Sequence, residues 1–189
     1  MTLIDLYLFL FSLLCIHLTV GGSGDGCSDA DRDNNILFVP LDERFTTRDL
    51  VLNQAEITSF CLITPDPSLL SSLKQSAPLQ DLHAWVDDNI GRAKTAIIST
   101  EMYLYGSLVN SRISNDSTSV VMERAKKLVE YTEDHDVGLY LSNVVMRIPS
   151  YNGDFEEPYY WADYGEYLYT YSYATDEYHK TGSEEAKIT

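Results

Sequence analysis

The sequence predicts an α/β fold built from parallel βαβ units. Four short, continuous apolar runs read as buried strands, helical stretches with an apolar face separate them, and roughly 25 to 40 residues lie between strand starts, the length of a crossover connection. Two architectures meet these conditions: the first half of a TIM-like eight-stranded barrel, which is preferred at this stage, or an open doubly wound sheet.

The first 22 residues are expected to be a signal peptide. Leu6 to Val20 is apolar except for Ser12, His17 and Thr19 and falls short of the ~20 residues of a bilayer-crossing helix. Small residues from Gly21 to Gly24 follow, which places the cleavage near Gly22 and the product in the secretory pathway. The segment carries Asp5 and no basic residue, so a retained signal anchor is the alternative. Residues 23–35, rich in Gly, Ser, Asp and Asn, read as a linker. The α/β domain is expected over 36–179, with a polar, frayed tail over 180–189.

Within the domain, Ile36 to Val39 is the first strand and stops at Pro40. Arg48 to Ile57 reads as a helix, with Leu50, Val51 and Ala55 on one side. Phe60 to Ile63 is the second strand, closed by Pro65-Asp66-Pro67. Leu79 to Arg92 is helical, because Leu82, Val86 and Ile90 recur at helical spacing. Thr95 to Ser99 is the third strand, Ser119 to Glu133 a helix, and Val137 to Leu141 the fourth strand. Nine tyrosines and Trp161 crowd Tyr151 to Tyr178. Here Pro158 is expected at the first position of a helix running to about Tyr169, whose aromatic face packs on the sheet.

Composition narrows the function classes. A formal charge of −16, from 29 acidic against 13 basic side chains, repels phosphate backbones and anionic lipid, which argues against nucleic acid or a membrane surface as partner. Two cysteines remain after the leader, Cys27 and Cys61, and either they pair or Cys61 is simply packed in its strand. Asn115-Asp116-Ser117 is an N-glycosylation sequon in a polar stretch. No cofactor is indicated. The Gly21–Gly24 run precedes any strand, so it is neither a dinucleotide nor a Walker loop, and His83, His135 and His179 have no metal-ligand spacing.

In both architectures ligands bind beyond the carboxyl ends of the strands. Those ends carry Asp42, Glu43 and Arg44 after the first strand, Thr64 and Asp66 after the second, Glu101, Tyr103 and Tyr105 after the third, and Ser142, Asn143 and Arg147 after the fourth. Asp42 and Glu101 are the candidate acid/base carboxylates, since one group must hold a proton while the other stays ionised. Glu43 is expected to be solvated. Ser142 has no His/Asp companion, so a hydrolase triad is not supported.

At these same ends the sequence resembles the family catalogued as domain of unknown function 4127. Val39-Pro40-Leu41-Asp42-Glu43-Arg44 is similar to its V-P-L-D-x-R-P opening, and Glu101 to Arg112 resembles its D-x-L-x-Y-G-G-L-V-x-S-R motif. Ser142 to Pro149 and Tyr159 to Gly165 resemble a third block, so the likeness runs from about Ile36 to Tyr173. Phe45 stands where that pattern has proline, Glu101 where it has aspartate, and Ser107 where it has the second glycine. The resemblance implies a fold, a pocket and an N-terminal portion of a longer family domain. It supplies no reaction.

The functional expectation is therefore a secreted, carbohydrate-directed hydrolase. Asp42 and Glu101 would do the chemistry, Arg44, Asn143 and Arg147 would clamp the substrate, and Tyr103 or Tyr105 would stack on it. The alternatives are a non-catalytic module that binds a glycan or another small polar ligand in the same cleft, and an inactive truncated fragment. Arg112 is expected to be structural, bracing Asp42 or Asp66.

Overall fold

A computed structural model describes residues 26–182. The expected signal peptide and the last seven residues of the expected tail lie outside the described residues. Four parallel strands form one sheet: β1 (Asn35–Val39), β2 (Cys61–Ile63), β3 (Thr95–Ser99) and β4 (Gly138–Ser142). Their spatial order is β2-β1-β3-β4. A barrel would run β1-β2-β3-β4, so the order corrects the preference for a half-barrel and identifies an open doubly wound sheet.

The helices are α1 (Asp49–Ala55), α2 (Leu79–Asn89), α3 (Thr100–Tyr105), α4 (Leu108–Ile113), α5 (Thr118–Asp134) and α6 (Trp161–Thr181). The chain leaves β1 toward β2, then crosses back over β1 to β3 and on to β4. Right-handed crossovers therefore place α1 on one face and α2 and α5 on the other. The core lies on that second face. Leu37 is in register with Ile63 on one side and Ala96 on the other, and Val39 with Ile98. These residues pack into one buried cluster with Leu82 and Val86 of α2, Met102 and Tyr103 of α3, and Leu128 and Tyr131 of α5. By contrast, α1 buries no residue, and β4 leaves Tyr140 65% exposed at the sheet edge.

Two local expectations are corrected, and the cysteine alternative left open by the sequence is decided for pairing. The supposed linker is structured: Asp29–Asn34 forms a 3-10 helix, and Asn35 donates from its side chain to the Ser28 and Arg92 carbonyls at 2.9 Å each. Arg32 also ties this segment to the carbonyls of Gly91, His135 and Asp136. Cys27 is bonded to Cys61, with the Cα atoms 5.6 Å apart, so the start of the chain is fastened to β2.

The second correction concerns the tail. Pro158 does not start α6; its carbonyl accepts from the Trp161 amide at 2.8 Å, in the turn before the helix. The helix then continues past Tyr169 to Thr181, where Gly182 ends it in the left-handed conformation at φ 66°. Only Trp161 and Gly165 are buried in it, while Tyr167 stands 75% exposed with Tyr164 and Tyr171 beside it on the same stripe. The aromatic face therefore turns to solvent rather than onto the sheet. Among the described residues no helix is long and apolar enough to cross a membrane.

Candidate functional site

In an open α/β sheet the ligand crevice forms where the strand order reverses, between the carboxyl ends of the two strands flanking that point. Here those strands are β1 and β3, neighbours in the sheet although β2 lies between them in sequence. A small cleft of about 40 Å³ opens beside the β1 end, lined by Asp42, Glu43 and Arg44, by Ser107 and Val109 at the start of α4, and by Leu73 and Glu156. A larger groove of about 790 Å³ runs along α1 and β2, between Phe45 and Pro67. It lies mostly along the edge strand and reaches a strand end only at Asp66 and Pro67, away from the β1/β3 reversal, so the smaller cleft is the better candidate.

Asp42, the first of the expected acid/base pair, is buried with its acceptor positions taken. Its Oδ2 accepts from Arg44 Nε at 2.9 Å and Nη2 at 2.5 Å, while Oδ1 accepts from the Arg44 amide at 3.1 Å and from the Thr47 hydroxyl. Burial pushes this carboxyl up, but the Arg44 and Thr47 hydrogen bonds outweigh it and hold it below the usual carboxylate range. Asp42 in turn raises the Arg44 guanidinium. An ionised carboxylate has about four lone-pair sites, and four donors fill them.

Glu101, the second, is also buried and also committed. Its Oε2 accepts from the Ser99 hydroxyl at 2.9 Å, and its Oε1 from the Val144 amide at 2.7 Å. The carboxylate thus ties the end of β3 to the segment leaving β4. It shares no partner with Asp42, and it does not line the cleft. Asp42, Glu101 and Asn143 all follow the carboxyl ends of parallel strands and so stand at one end of the sheet.

The expected ligand-binding residues separate. Arg44 lines the cleft and is half-exposed. Arg147, also exposed, reaches toward it through Glu156 Oε2 at 3.7 Å. Asn143 remains on the β4 side, where its Oδ1 accepts from Thr100 Oγ1 at 3.0 Å. Tyr105 is half-buried at the end of α3, its carbonyl accepting from Ser76 Oγ at 3.2 Å, and it does not line the cleft.

Tyr103 is not a stacking platform. Its ring is fully buried against His83, with centroids 4.3 Å apart, because the helix begins directly after β3 and turns this side chain into the core. Its hydroxyl lies 3.1 Å from that of Tyr131, which donates to Asp87 Oδ1 at 2.6 Å, so Tyr103 is the donor to Tyr131. Burial pushes Tyr103 up to about 12. The same surroundings lower His83, although its ring Nε2 donates to the Tyr103 carbonyl at 2.8 Å.

Glu43 is not simply solvated either. Its carboxylate accepts from Ser71 Oγ at 2.6 Å and the Leu73 amide at 3.0 Å, which joins the β1 end to the loop beyond β2. Arg112 does brace carboxylates, but they are Glu156 at 3.3 Å and Glu157 at 3.0 Å, not Asp42 or Asp66. The Arg112 and Glu157 side chains are 8% and 6% exposed, which makes this the most buried ion pair described. Sequence reading missed Glu156 as a cleft residue. Its signal was an acidic pair far along the chain in a protein short of basic partners. Asn115 is exposed on the loop between α4 and α5.

The family described as "Protein of unknown function (DUF4127)" matches residues 36–189, and the chain belongs to it. No curated protein and no solved structure matches the chain.

Proposed function

Because that family carries no assigned reaction, we propose from the geometry that this chain is a secreted module that binds a carbohydrate or a comparable small polar ligand in the β1/β3 crevice. One observation carries the reading. Both carboxylates best placed for acid/base chemistry are committed to internal hydrogen bonds, while the cleft beside Asp42 stays open. A general acid must hold its proton near neutral pH, whereas Asp42 is held ionised. Arg44 uses Nε and Nη2 on Asp42, which fixes its plane and leaves Nη1 for a ligand oxygen. Glu156, fixed by Arg112, supplies an acceptor across the cleft. Secretion is supported by the apolar leader and by a disulfide of the kind that persists in oxidising compartments.

Titration calorimetry against neutral mono- and oligosaccharides, run beside a reducing-sugar assay, tests this. Saturable binding without sugar release is expected. Release that disappears in D42N would replace the binding module by the hydrolase.

A further inference from the structure

A second cavity adjoins the cleft. It measures about 200 Å³ and is lined by Leu73, Lys74, Val109, Phe155 and Glu156. Leu73, Val109 and Glu156 line both spaces, so the two are one continuous depression with different walls. Around Asp42, Glu43, Arg44 and Ser107 the wall is polar; around Leu73, Val109 and Phe155 it is apolar. Leu73 and Phe155 are 63% and 69% exposed, so two large apolar side chains face this space and are accessible to a ligand.

The backbone at Leu73 adds an independent argument. Leu73 has φ 50°, in the left-handed region that disfavours a residue with a side chain like leucine's. It is the first central residue of a tight turn closed by Ser72 and Gln75, a position for which glycine is suited. The turn is held firmly in this state. Glu43 accepts from the Leu73 amide, the Lys74 carbonyl accepts from the Asn110 side chain at 3.1 Å, and the Lys74 ammonium donates to the Asp154 carbonyl at 2.5 Å. A strained residue over-determined by its surroundings, at the mouth of a cavity, points to a ligand contact.

We propose that the two cavities form one bipartite site for a glycoside, or a similar polyhydroxylated molecule, that carries an apolar group. The hydroxyls sit against Arg44 and Glu156, and the apolar group against Leu73, Val109 and Phe155. A net charge of −16 disfavours an anionic head, so the polar part is neutral. This inference rests on the polar-ligand reading above and specifies its ligand class.

The test compares matched methyl and phenyl glycosides of glucose, galactose and N-acetylglucosamine on the full chain by calorimetry, in wild type and L73G. Glycine accepts the positive φ, so L73G folds at least as stably and its binding is interpretable. For at least one sugar the phenyl glycoside is expected to bind about tenfold tighter than the methyl, with L73G reducing that ratio to about threefold or less at an undiminished melting temperature. Equal affinity within every pair in the wild type overturns the bipartite site and leaves the polar-ligand reading standing. A ratio unchanged in L73G overturns the role of Leu73 and the site with it. No binding of any glycoside overturns both readings.

Discussion

Burial alone would raise the Asp42 carboxyl, since an ion removed from water loses its hydration, yet donors from Arg44 and Thr47 reverse the sign. Linkage follows from that sign. A folded-state value below the unfolded one adds stability that is present above the ordinary carboxylate range and is lost as pH falls through the folded value. D42N is therefore expected to lose about 2 to 3 kcal/mol at pH 7, because an amide nitrogen faces donors where an oxygen accepted them. The deficit should begin to shrink below about pH 4, the unfolded value, and close only below the lower folded one. Denaturant titrations at pH 7 and pH 3 measure this, and an equal deficit at both would show that the charge of Asp42 is not what stabilises. Arg112 behaves as a brace in the same way. R112K keeps the charge but withdraws the single Nη1 that serves both Glu156 and Glu157, and is expected to lower stability by about 1 to 2 kcal/mol and to weaken glycoside affinity only through the looser Glu156 acceptor. Unchanged melting with lost binding would move Arg112 into the site. Asp42 and Arg44 were legible as a pair because they stand two apart after a strand. Glu156 was not, because its partner Arg112 lies 44 residues away and nothing local links them.

At the scale of elements, the corner between α3 and α4 shapes the cleft and turns on one glycine. Gly106 has φ 88°, its carbonyl accepts from the Ala77 amide at 3.1 Å, and a Cβ there would lie 2.0 Å from Ser76 Oγ. G106A is thus expected to cost about 2 to 4 kcal/mol, combining left-handed strain with a steric clash. Adding S76A should recover part of the loss but not all, since the Ala77 amide nitrogen at 3.0 Å and the strained φ remain. A denaturant midpoint unchanged by G106A would mean that the corner rearranges freely, and the cleft with it. The four strands were readable to within a residue or two because buried parallel strands are written as unbroken apolar runs. The tail was not. Tyr160, Tyr164, Tyr167 and Tyr171 recur at helical spacing, as a packed stripe would, and periodicity says nothing about whether that stripe meets a neighbour.

At the scale of the whole molecule, strand order was the feature the sequence left open, because a parallel crossover of given length looks alike whichever side of the sheet it returns to. The order places β1 and β3 inside and makes β2 an edge strand of three residues, paired only with β1. An edge this short gains little from its own ladder, and the Cys27–Cys61 bond fastens its first residue to the segment before β1. Closing a loop over a sequence separation of 34 restricts the unfolded chain by about 3 to 4 kcal/mol. C27S/C61S is expected to lose about that much, and the loss should be spatially uneven. With the bond gone, β2 remains held by one neighbour, while β3 keeps β1 and β4 on either side. Hydrogen exchange should then show the β2 amides of Leu62 and Ile63 opening well before those of Ala96 to Ile98, by local fraying of the edge. The α1 segment should open with β2, since it buries no residue of its own. Equal loss of protection across all four strands would instead mean that the sheet unfolds as one unit, with the disulfide acting only on the unfolded chain. In that case the β1/β3 crevice would melt together with its edge, rather than persisting on the inner strands after β2 has opened.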